Sequence, residues 1–213
     1  MRIKRRVLGL LWLSLLMLLT NISWAYDTNA FVTTWKSHKE TDLQISLSGK
    51  DVAIKWYKAG AEASATTEPV ASYAIEEPFS FHVDAATLYY VEIKGGLEAV
   101  QVQTSYAELQ TVERWGNIEW RRLNSAFKNC SSLLVKATDA PNLSKCSSVA
   151  SMFNGCTSLT TINAASWDVK DVSYFDAMFS RCINFDDDVT NWNMPVLTLC
   201  NKTSDGSLHF IYQ

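Results

Sequence analysis

The sequence predicts an α+β protein in which an N-terminal antiparallel β-sandwich precedes a short solenoid of repeats. Two observations support this prediction: short alternating apolar runs fill residues 26–105, and a 26-residue pattern recurs through residues 106–200. Hydrophobic residues make up 47% of the 213 and charged residues 19%, which is typical of a folded chain and not of a disordered one.

Residues 1–25 have the three parts of a signal peptide. Basic residues come first, a 13-residue apolar run covers 7–19, and the small residues Ser23 and Ala25 match the pattern that signal peptidase cleaves. A transmembrane anchor is the alternative, but spanning a bilayer takes about 20 apolar residues, more than this run supplies. We therefore expect cleavage between Ala25 and Tyr26, and an exported protein that is secreted or held at the cell surface.

The charge of the chain argues against some partners. Its net charge is −3, and loss of residues 1–25 would leave 15 basic against 22 acidic residues, a net charge of −7. Nucleic acids select basic surfaces, so we expect no nucleic acid partner. No second apolar span follows residue 25, and we expect no membrane span after cleavage.

The segment 26–105 has the texture of short strands. Runs rich in Val, Ile, Tyr and Phe alternate with polar residues, as half-buried strands do. Six such runs over about 77 residues predict a small antiparallel sandwich. The runs cover 30–35, 43–48, 52–57, 79–83, 89–94 and 99–102, with turn-forming residues at 48–51, 58–60 and 95–96.

The second half contains three units with a period of 26 residues. Cys130, Cys156 and Cys182 are spaced by 26, and the apolar residues around them recur in the same phase. A fixed period of this length indicates units that each bury an apolar face against the next. We expect the repeat core to comprise Phe127, Cys130, Leu133, Met152, Phe153, Cys156, Leu159, Trp167, Met178, Phe179, Cys182 and Phe185.

Each unit is predicted to contain one short helix and one strand. In the middle unit, apolar residues with helical spacing predict a helix within 147–156. The residues that follow, 159–164, favour a strand, which we expect to stack with 133–137 and 185–189.

The repeat unit resembles that of the BspA-like leucine-rich-repeat surface proteins of bacteria. Their units carry MFxGCxxL followed by WDVSxVTxM, and this chain has MFNGCTSL at 152–159 and SWDVKDVSYFDAMF at 166–179. The opening residues FVTTWK at 31–36 are similar to the start of the PKD-like β-domain that often precedes such arrays. The resemblance implies a PKD- or Ig-like sandwich, a leucine-rich-repeat-like solenoid, and a bacterial surface protein with a role in binding, in some members adhesion.

The last residues, 201–213, depart from the repeat, because the next MFxGC is absent and the chain reads NKTSDGSLHFIYQ. A solenoid needs a cap on its last apolar face. Two interpretations stay open: a truncated array, which the abrupt loss of phase favours, or an atypical cap built from Leu208, Phe210, Ile211 and Tyr212.

Five cysteines in an exported chain raise the question of disulfides. Cys130, Cys156 and Cys182 share one repeat phase, which is typical of small buried residues, and side chains in a ladder have poor geometry for bridging. We expect these three to be buried free thiols. A bridge between Cys146 and Cys200 stays open, and the odd total leaves at least one thiol unpaired in a monomer.

No catalytic, cofactor-binding or metal site is predicted. His38, His82 and His209 are scattered and lack metal-ligand spacing to any Cys or other His. The acidic run 186–188 could bind a hard cation such as Ca²⁺. Adjacent carboxylates on a strand alternate between its two faces, however, so a solvated turn is favoured.

The tryptophans of the second half have two possible roles. Indole rings can be platforms on which sugars stack, or they can fill the core. Their positions within the repeat phase favour core packing for Trp115, Trp120, Trp167 and Trp192.

Two functional hypotheses from different classes follow. The favoured one is an exported, non-enzymatic recognition protein that binds a protein or glycan partner through its repeat face, because repeat arrays present extended rigid surfaces. The alternative is an exported carbohydrate- or peptidoglycan-active enzyme, which needs two carboxylates at a defined separation. Glu113, Glu119 and the 186–188 cluster are its candidate carboxylates. A truncated array without a retained function is a third outcome.

Overall fold

The structure is a computed structural model that describes residues 28–68, 71–74, 76–102, 108–192, 197–202 and 208–212, with side-chain environments up to residue 192. The predicted cleavage site at Ala25 and Tyr26 lies outside the described residues. No helix among the described residues has the length and apolar character needed to cross a membrane.

The described residues form ten strands and two short 3-10 turns, Glu62–Ser64 and Ala164–Ser166. The strands are β1 Phe31–Lys36, β2 Thr41–Lys58, β3 Thr66–Thr67, β4 Ala71–Tyr73, β5 Phe79–Val83, β6 Leu88–Val102, β7 Leu109–Arg114, β8 Leu134–Val135, β9 Leu197–Lys202 and β10 Leu208–Tyr212. We call the part up to residue 114 the β half and residues 115–192 the repeat half.

Eight of these strands form one mixed sheet. Its order is β3-β2-β6-β1-β7-β8, and β4 and β5 also pair with β2. The pairing of β7 with β8 is parallel, whereas the other strand pairs are antiparallel. β9 and β10 form a separate antiparallel pair, and β10 lies wholly within the segment 201–213 that was expected to be irregular.

The predicted α+β fold class is wrong. The described residues contain no α-helix, and their strands form one eight-stranded sheet and one strand pair instead of the two packed sheets of a sandwich. The predicted leucine-rich-repeat-like solenoid of helices and strands is wrong as well. The described part of the repeat half is built from turns and contributes only the two-residue strand β8 and one 3-10 turn.

Two long strands explain why the β half is a single sheet. β2 and β6 continue through the turns predicted at 48–51 and 95–96, where two register shifts interrupt their pairing. The two backbones are so close there that a Cβ added at Gly95 would lie 2.1 Å from the carbonyl oxygen of Asp51. The turn-like composition of both segments therefore marks bulges within strands and not chain reversals.

The sheet curves over an apolar core. Trp35 of β1 meets Phe81 of β5 edge to face, with 5.7 Å between ring centroids, although these strands are not neighbours in the sheet. Phe31 of β1 stacks on Trp115, the first residue of the repeat half, at 5.9 Å. One continuous cluster of buried apolar residues therefore extends from the β half into the repeat half.

Main-chain hydrogen bonds also join the two halves. The N–H of Val102 at the end of β6 donates to the carbonyl oxygen of Ala126 at 2.9 Å, and the N–H of Arg121 donates to that of Glu98 at 2.9 Å. The parallel pairing of β7 with β8 adds a third connection. The division into domains near residue 105 stays a prediction, but hydrogen bonds of the backbone connect the two sides of it.

Candidate functional site

In each repeat, consecutive turns of the backbone direct one Phe and one Cys side chain toward the core. We call the segments 123–133, 149–159 and 175–185 the turn units. In each turn unit the N–H of the Cys donates to the carbonyl oxygen of the Phe three residues earlier, at 3.0, 2.9 and 3.1 Å in chain order. Apart from the exposed Ile183, the large apolar side chains of the turn units face the core.

The helix predicted within 147–156 is absent because each turn unit passes twice through the left-handed region. In the middle unit φ is +56° at Ser151 and +79° at Gly155. A right-handed helix cannot continue through such residues. The same sign of φ occurs at the equivalent positions of the other units, Ser125, Asn129, Ala177 and Arg181.

Main-chain hydrogen bonds stack each turn unit on the next. The N–H of Phe127 donates to the carbonyl oxygen of Met152 at 2.9 Å, and the N–H of Phe153 donates to that of Met178 at 3.0 Å. Alternate N–H groups thus point along the stack, as they do in a sheet, which satisfies buried backbone groups without helices. The other donors of this kind are Leu123, Ser125, Asn129, Val149, Ser151 and Gly155.

The residues predicted to form the repeat core line the inside of this stack. The rings of Phe127, Phe153 and Phe179 stack with centroids 5.7 and 5.9 Å apart. Beside them, the thiol of Cys156 donates to the carbonyl oxygen of Phe127 at 3.1 Å, and that of Cys182 to Phe153 at 2.9 Å. None of the predicted core side chains is more than 5% exposed, and the remaining ones are Cys130, Leu133, Met152, Leu159, Trp167, Met178 and Phe185.

The described cysteines are buried free thiols. Cys130, Cys146, Cys156 and Cys182 form no disulfide, and the side chain of Cys200 lies outside the described residues. Burial raises the pKa of all four thiols, that of Cys182 to about 12. Because only the thiolate is a nucleophile, these cysteines are packing residues.

The four tryptophans of the repeat half are core residues, so their indoles are not platforms for sugars. Trp115 and Trp120 are fully buried, and Trp167 and Trp192 are 5% exposed. Trp167 stacks on Trp192 at 6.0 Å and meets Trp115 edge to face at 5.5 Å. Trp115 and Trp167 are two repeats apart, and the small residue Pro141 occupies the phase between them.

The acidic run 186–188 includes one residue, Asp187, that accepts hydrogen bonds from the backbone of the preceding repeat. One carboxylate oxygen of Asp187 accepts hydrogen bonds from the N–H groups of Ile162 and Ala164 at 2.8 and 2.9 Å and from the hydroxyl of Thr161 at 2.7 Å. Burial alone would raise the pKa of Asp187, but these hydrogen bonds hold it below its usual value. Within the described ranges, no cluster of three or more His, Cys, Asp and Glu is suited to a metal ion.

The carboxylates considered for an enzyme have separate contacts. Glu113 accepts a hydrogen bond from the hydroxyl of Thr111 at 2.7 Å and lies 3.6 Å from Nζ of Lys136. Glu119 is exposed to solvent, and Asp187 binds the backbone. As far as the structure describes the chain, these contacts single out no acid and base pair.

Two of the three histidines, His38 and His82, belong to the β half. His38 is exposed, and the side chain of His209 lies outside the described residues. Nδ1 of His82 lies 2.9 Å from a carboxylate oxygen of Asp42, and its Nε2 lies 3.3 Å from one of Glu40. The hydrogen bond with Asp42 raises the pKa of His82.

The outer side of the repeats aligns equivalent residues in columns. We define the ladder face as residues 121–122, 147–148 and 173–174. Parallel β-bridges join Arg122 to Ala99 and Ser148 to Tyr174, so the face continues the end of β6. One column of the ladder face therefore runs from Arg122 through Ser148 to Tyr174.

This column has a cation at one end, an aromatic ring at the other and a small residue between them. Tyr174 is 57% exposed, the largest value among the exposed large apolar side chains of the described residues. Two spacings of about 4.8 Å separate it from Arg122, and the residue between them, Ser148, has a small side chain. Tyr and Arg are the residue types most enriched, with Trp, among those that dominate binding energy at protein interfaces.

The sequence pattern does not single out these outward residues. The 26-residue phase identifies inward positions because their apolar character recurs, whereas outward positions vary freely. The only sequence signal for them is that one outward position of the repeat is occupied in turn by Arg122, Ser148 and Tyr174, three residues of different chemistry. Only the alignment of the three units in the structure shows that this phase forms a surface column.

A comparison with known families matches residues 98–210 to the family described as Mycoplasma protein of unknown function, DUF285. The match covers more than half of the chain. This chain belongs to the DUF285 family. The DUF285 match agrees with the resemblance of the repeats to BspA-like proteins, and it includes the end of β6 that the ladder face continues. No curated protein and no solved structure matches the chain.

Proposed function

We propose that this DUF285 protein is an exported, non-enzymatic recognition protein of bacterial surfaces that binds a protein or glycan partner through the ladder face, in an adhesion-type role. The column of Arg122, Ser148 and Tyr174, with both ends exposed and its middle residue half-buried, carries the proposal. Its ends supply a charged donor and a large amphipathic ring, and its middle admits a partner side chain or a sugar.

The stack beneath the ladder face favours binding because it is preorganised. Successive units are joined by backbone hydrogen bonds and by the stacked rings of the inner column. A rigid surface loses little conformational freedom when a partner binds, which leaves more of the contact energy as affinity.

Export is the second part of the proposal, and the signal-peptide pattern of residues 1–25 supports it. The full chain, expressed in a bacterial host, should appear in the medium or at the surface with an N-terminus at Tyr26. N-terminal sequencing of the purified protein measures this directly. An intact N-terminus in the cytoplasmic fraction would contradict the export proposal.

Binding can be tested with two exposed residues of the repeat half. The exported protein, fluorescently labelled, would be titrated onto epithelial cells, immobilised matrix proteins and a glycan array. We expect saturable binding that Tyr174→Ser weakens about tenfold, the loss typical of an interface residue worth about 1.4 kcal/mol. The matched control is Ile183→Ser, since Ile183 is similarly exposed at 52% but lies outside the ladder face.

Two results would overturn this proposal. Equal binding by Tyr174→Ser and Ile183→Ser would remove the ladder face from recognition. Hydrolysis of the same glycans, abolished by Glu119→Gln, would replace binding with the enzymatic alternative.

A further inference from the structure

The β half contains a groove that the ladder face does not use. It has a volume of about 590 Å³, within the range of small-molecule sites. Strands β2, β5 and β6 supply its walls, together with the turn that follows β2. Its lining includes Trp56, Tyr57, Lys58, His82, Asp84 and Tyr89.

The indole of Trp56 is the aromatic surface of the groove and is held in place from behind. It packs edge to face against Phe79, with 5.5 Å between ring centroids. The ring of Tyr57 lies on the other face of β2, because successive side chains of a strand alternate, and it stacks on Tyr90 at 5.5 Å. The contact with Phe79 fixes the indole, so a ligand would meet a preformed aromatic surface.

A donor and an acceptor lie side by side at the polar wall. Nζ of Lys58 lies 2.5 Å from a carboxylate oxygen of Asp84, and the hydroxyl of Tyr89 donates to the same oxygen at 2.8 Å. Both charged side chains are about half exposed. An ammonium has three donors and a carboxylate about four acceptor positions, so each retains capacity for a ligand hydroxyl.

The charges of the groove are matched within the protein. Lys58 pairs with Asp84, and His82 lies between Asp42 and Glu40. No surplus of positive charge is left to attract a phosphate or a carboxylate. A ligand rich in hydroxyl groups and without charge fits this arrangement.

We propose that this groove binds a neutral saccharide. A sugar ring would lie against the indole of Trp56, and adjacent hydroxyls would bond to Lys58 and Asp84. The groove and the ladder face share no residue, so this proposal and the proposed function can fail independently.

The test uses the full-length exported protein and defined sugars. Maltose, cellobiose, lactose and N,N′-diacetylchitobiose would be titrated by saturation-transfer NMR, with sialyllactose as the charged comparison. We expect at least one neutral disaccharide to bind with a dissociation constant in the millimolar range. Trp56→Leu keeps apolar packing but removes the aromatic face, and should weaken binding about tenfold.

Two further variants complete the design. Asp84→Asn changes an exposed carboxylate and should also weaken binding about tenfold while leaving far-UV circular dichroism unchanged. Ile183→Ser, at an exposed position outside both the groove and the ladder face, should leave sugar binding intact. The proposal is overturned by absence of saturable binding to every neutral probe, by unchanged affinity in the Asp84→Asn variant, or by preference for sialyllactose.

Discussion

The two halves of the molecule bring distant residues together in different ways. In the β half, Thr41 pairs with Val83 and Trp35 packs against Phe81, contacts whose spacing in the sequence follows no rule. In the repeat half, equivalent contacts recur at a constant interval, as when Phe127 stacks on Phe153. The inward column of the repeats can therefore be recognised from the 26-residue phase of the sequence, whereas a groove in the β half exists only once the strands are assembled.

The halves also differ in how local their contacts are. Repeats interact mainly with their neighbours, so stability adds along the stack. The β half depends on pairings of high sequence separation. Because the backbone bonds of Val102 and Arg121 join the halves, we expect the two to unfold together.

The largest effect should come from the centre of the aromatic column. Phe153 is fully buried and stacks on both Phe127 and Phe179. Phe153→Ala should lower the free energy of unfolding by about 3–5 kcal/mol. Urea unfolding followed by tryptophan fluorescence and by circular dichroism measures it, and both signals should shift together.

The matched control for Phe153→Ala is Ile183→Ala, a change at an exposed position of the same half. It should alter stability by no more than about 0.5 kcal/mol. Separate transitions for the two signals in Phe153→Ala would show that the halves unfold independently.

The next effect tests the close approach of the β2 and β6 backbones at their bulges. Gly95 and Gly60 both have positive φ, +93° and +80°, but only Gly95 has backbone within contact of an added Cβ. Gly60→Ala should cost about 1–2 kcal/mol for the left-handed conformation alone. Gly95→Ala should cost about 1–3 kcal/mol more, because the Cβ meets the carbonyl of Asp51. Equal losses of stability for the two variants, measured by thermal unfolding, would contradict the close approach of the two backbones at Gly95.

A smaller effect is expected where a carboxylate satisfies the backbone of the repeats. Asp187→Asn removes the charge that strengthens the hydrogen bonds from Ile162 and Ala164, and should cost about 1–2 kcal/mol at neutral pH. The lowered pKa of Asp187 means that its contribution is present above the unfolded pKa, about 3.9, and is lost as pH falls through the folded value. The variant and the parent should therefore converge in acid.

Urea unfolding at a series of pH values measures this convergence. Asp171→Asn is the control, since Asp171 is an exposed carboxylate of the same repeat half. A constant difference between Asp187→Asn and the parent down to strongly acidic pH would contradict a role for the Asp187 charge.

The smallest effect concerns His82 at the groove of the β half. The hydrogen bond to Asp42 is the main cause of its raised pKa, Glu40 adds to it, and Asp84 also faces the ring. Its stabilising contribution is therefore full below the unfolded pKa, about 6.5, and is lost as pH rises through the folded value. Asp42→Asn should move the NMR titration of His82 toward lower pH. An unchanged titration would show that the pair does not form in solution.

The sequence predicted the inward side of the repeats better than their backbone. Apolar recurrence alone selected the column of Phe127, Phe153 and Phe179, because burial imposes the same chemistry on every unit. The predicted helix is wrong because Ser151 and Ala177 adopt left-handed backbone conformations. Serine and alanine do not favour such conformations, so the residue types gave no reason to expect them. Gly155 was a partial signal, since glycine suits such a position.

In the β half, the strand pattern was visible but the pairing was not. The predicted turn at 48–51 lies inside β2, because Gly49 and Asp51 accommodate a bulge against β6. Composition does not distinguish a bulge from a turn. The groove depends on a contact between Asp84, which follows β5, and Lys58 at the end of β2, and no local sequence pattern contains this contact.

The most direct test of the central structural claim is native-state hydrogen exchange of the alternate amides in the repeat half. If the units stack through backbone bonds continuous with the sheet, the amides of Val149, Ser151, Phe153 and Gly155 should exchange as slowly as those that pair β2 with β6. Rapid exchange of these four amides while the sheet stays protected would contradict it. The ladder face would then lack the rigid base on which the proposed recognition function depends.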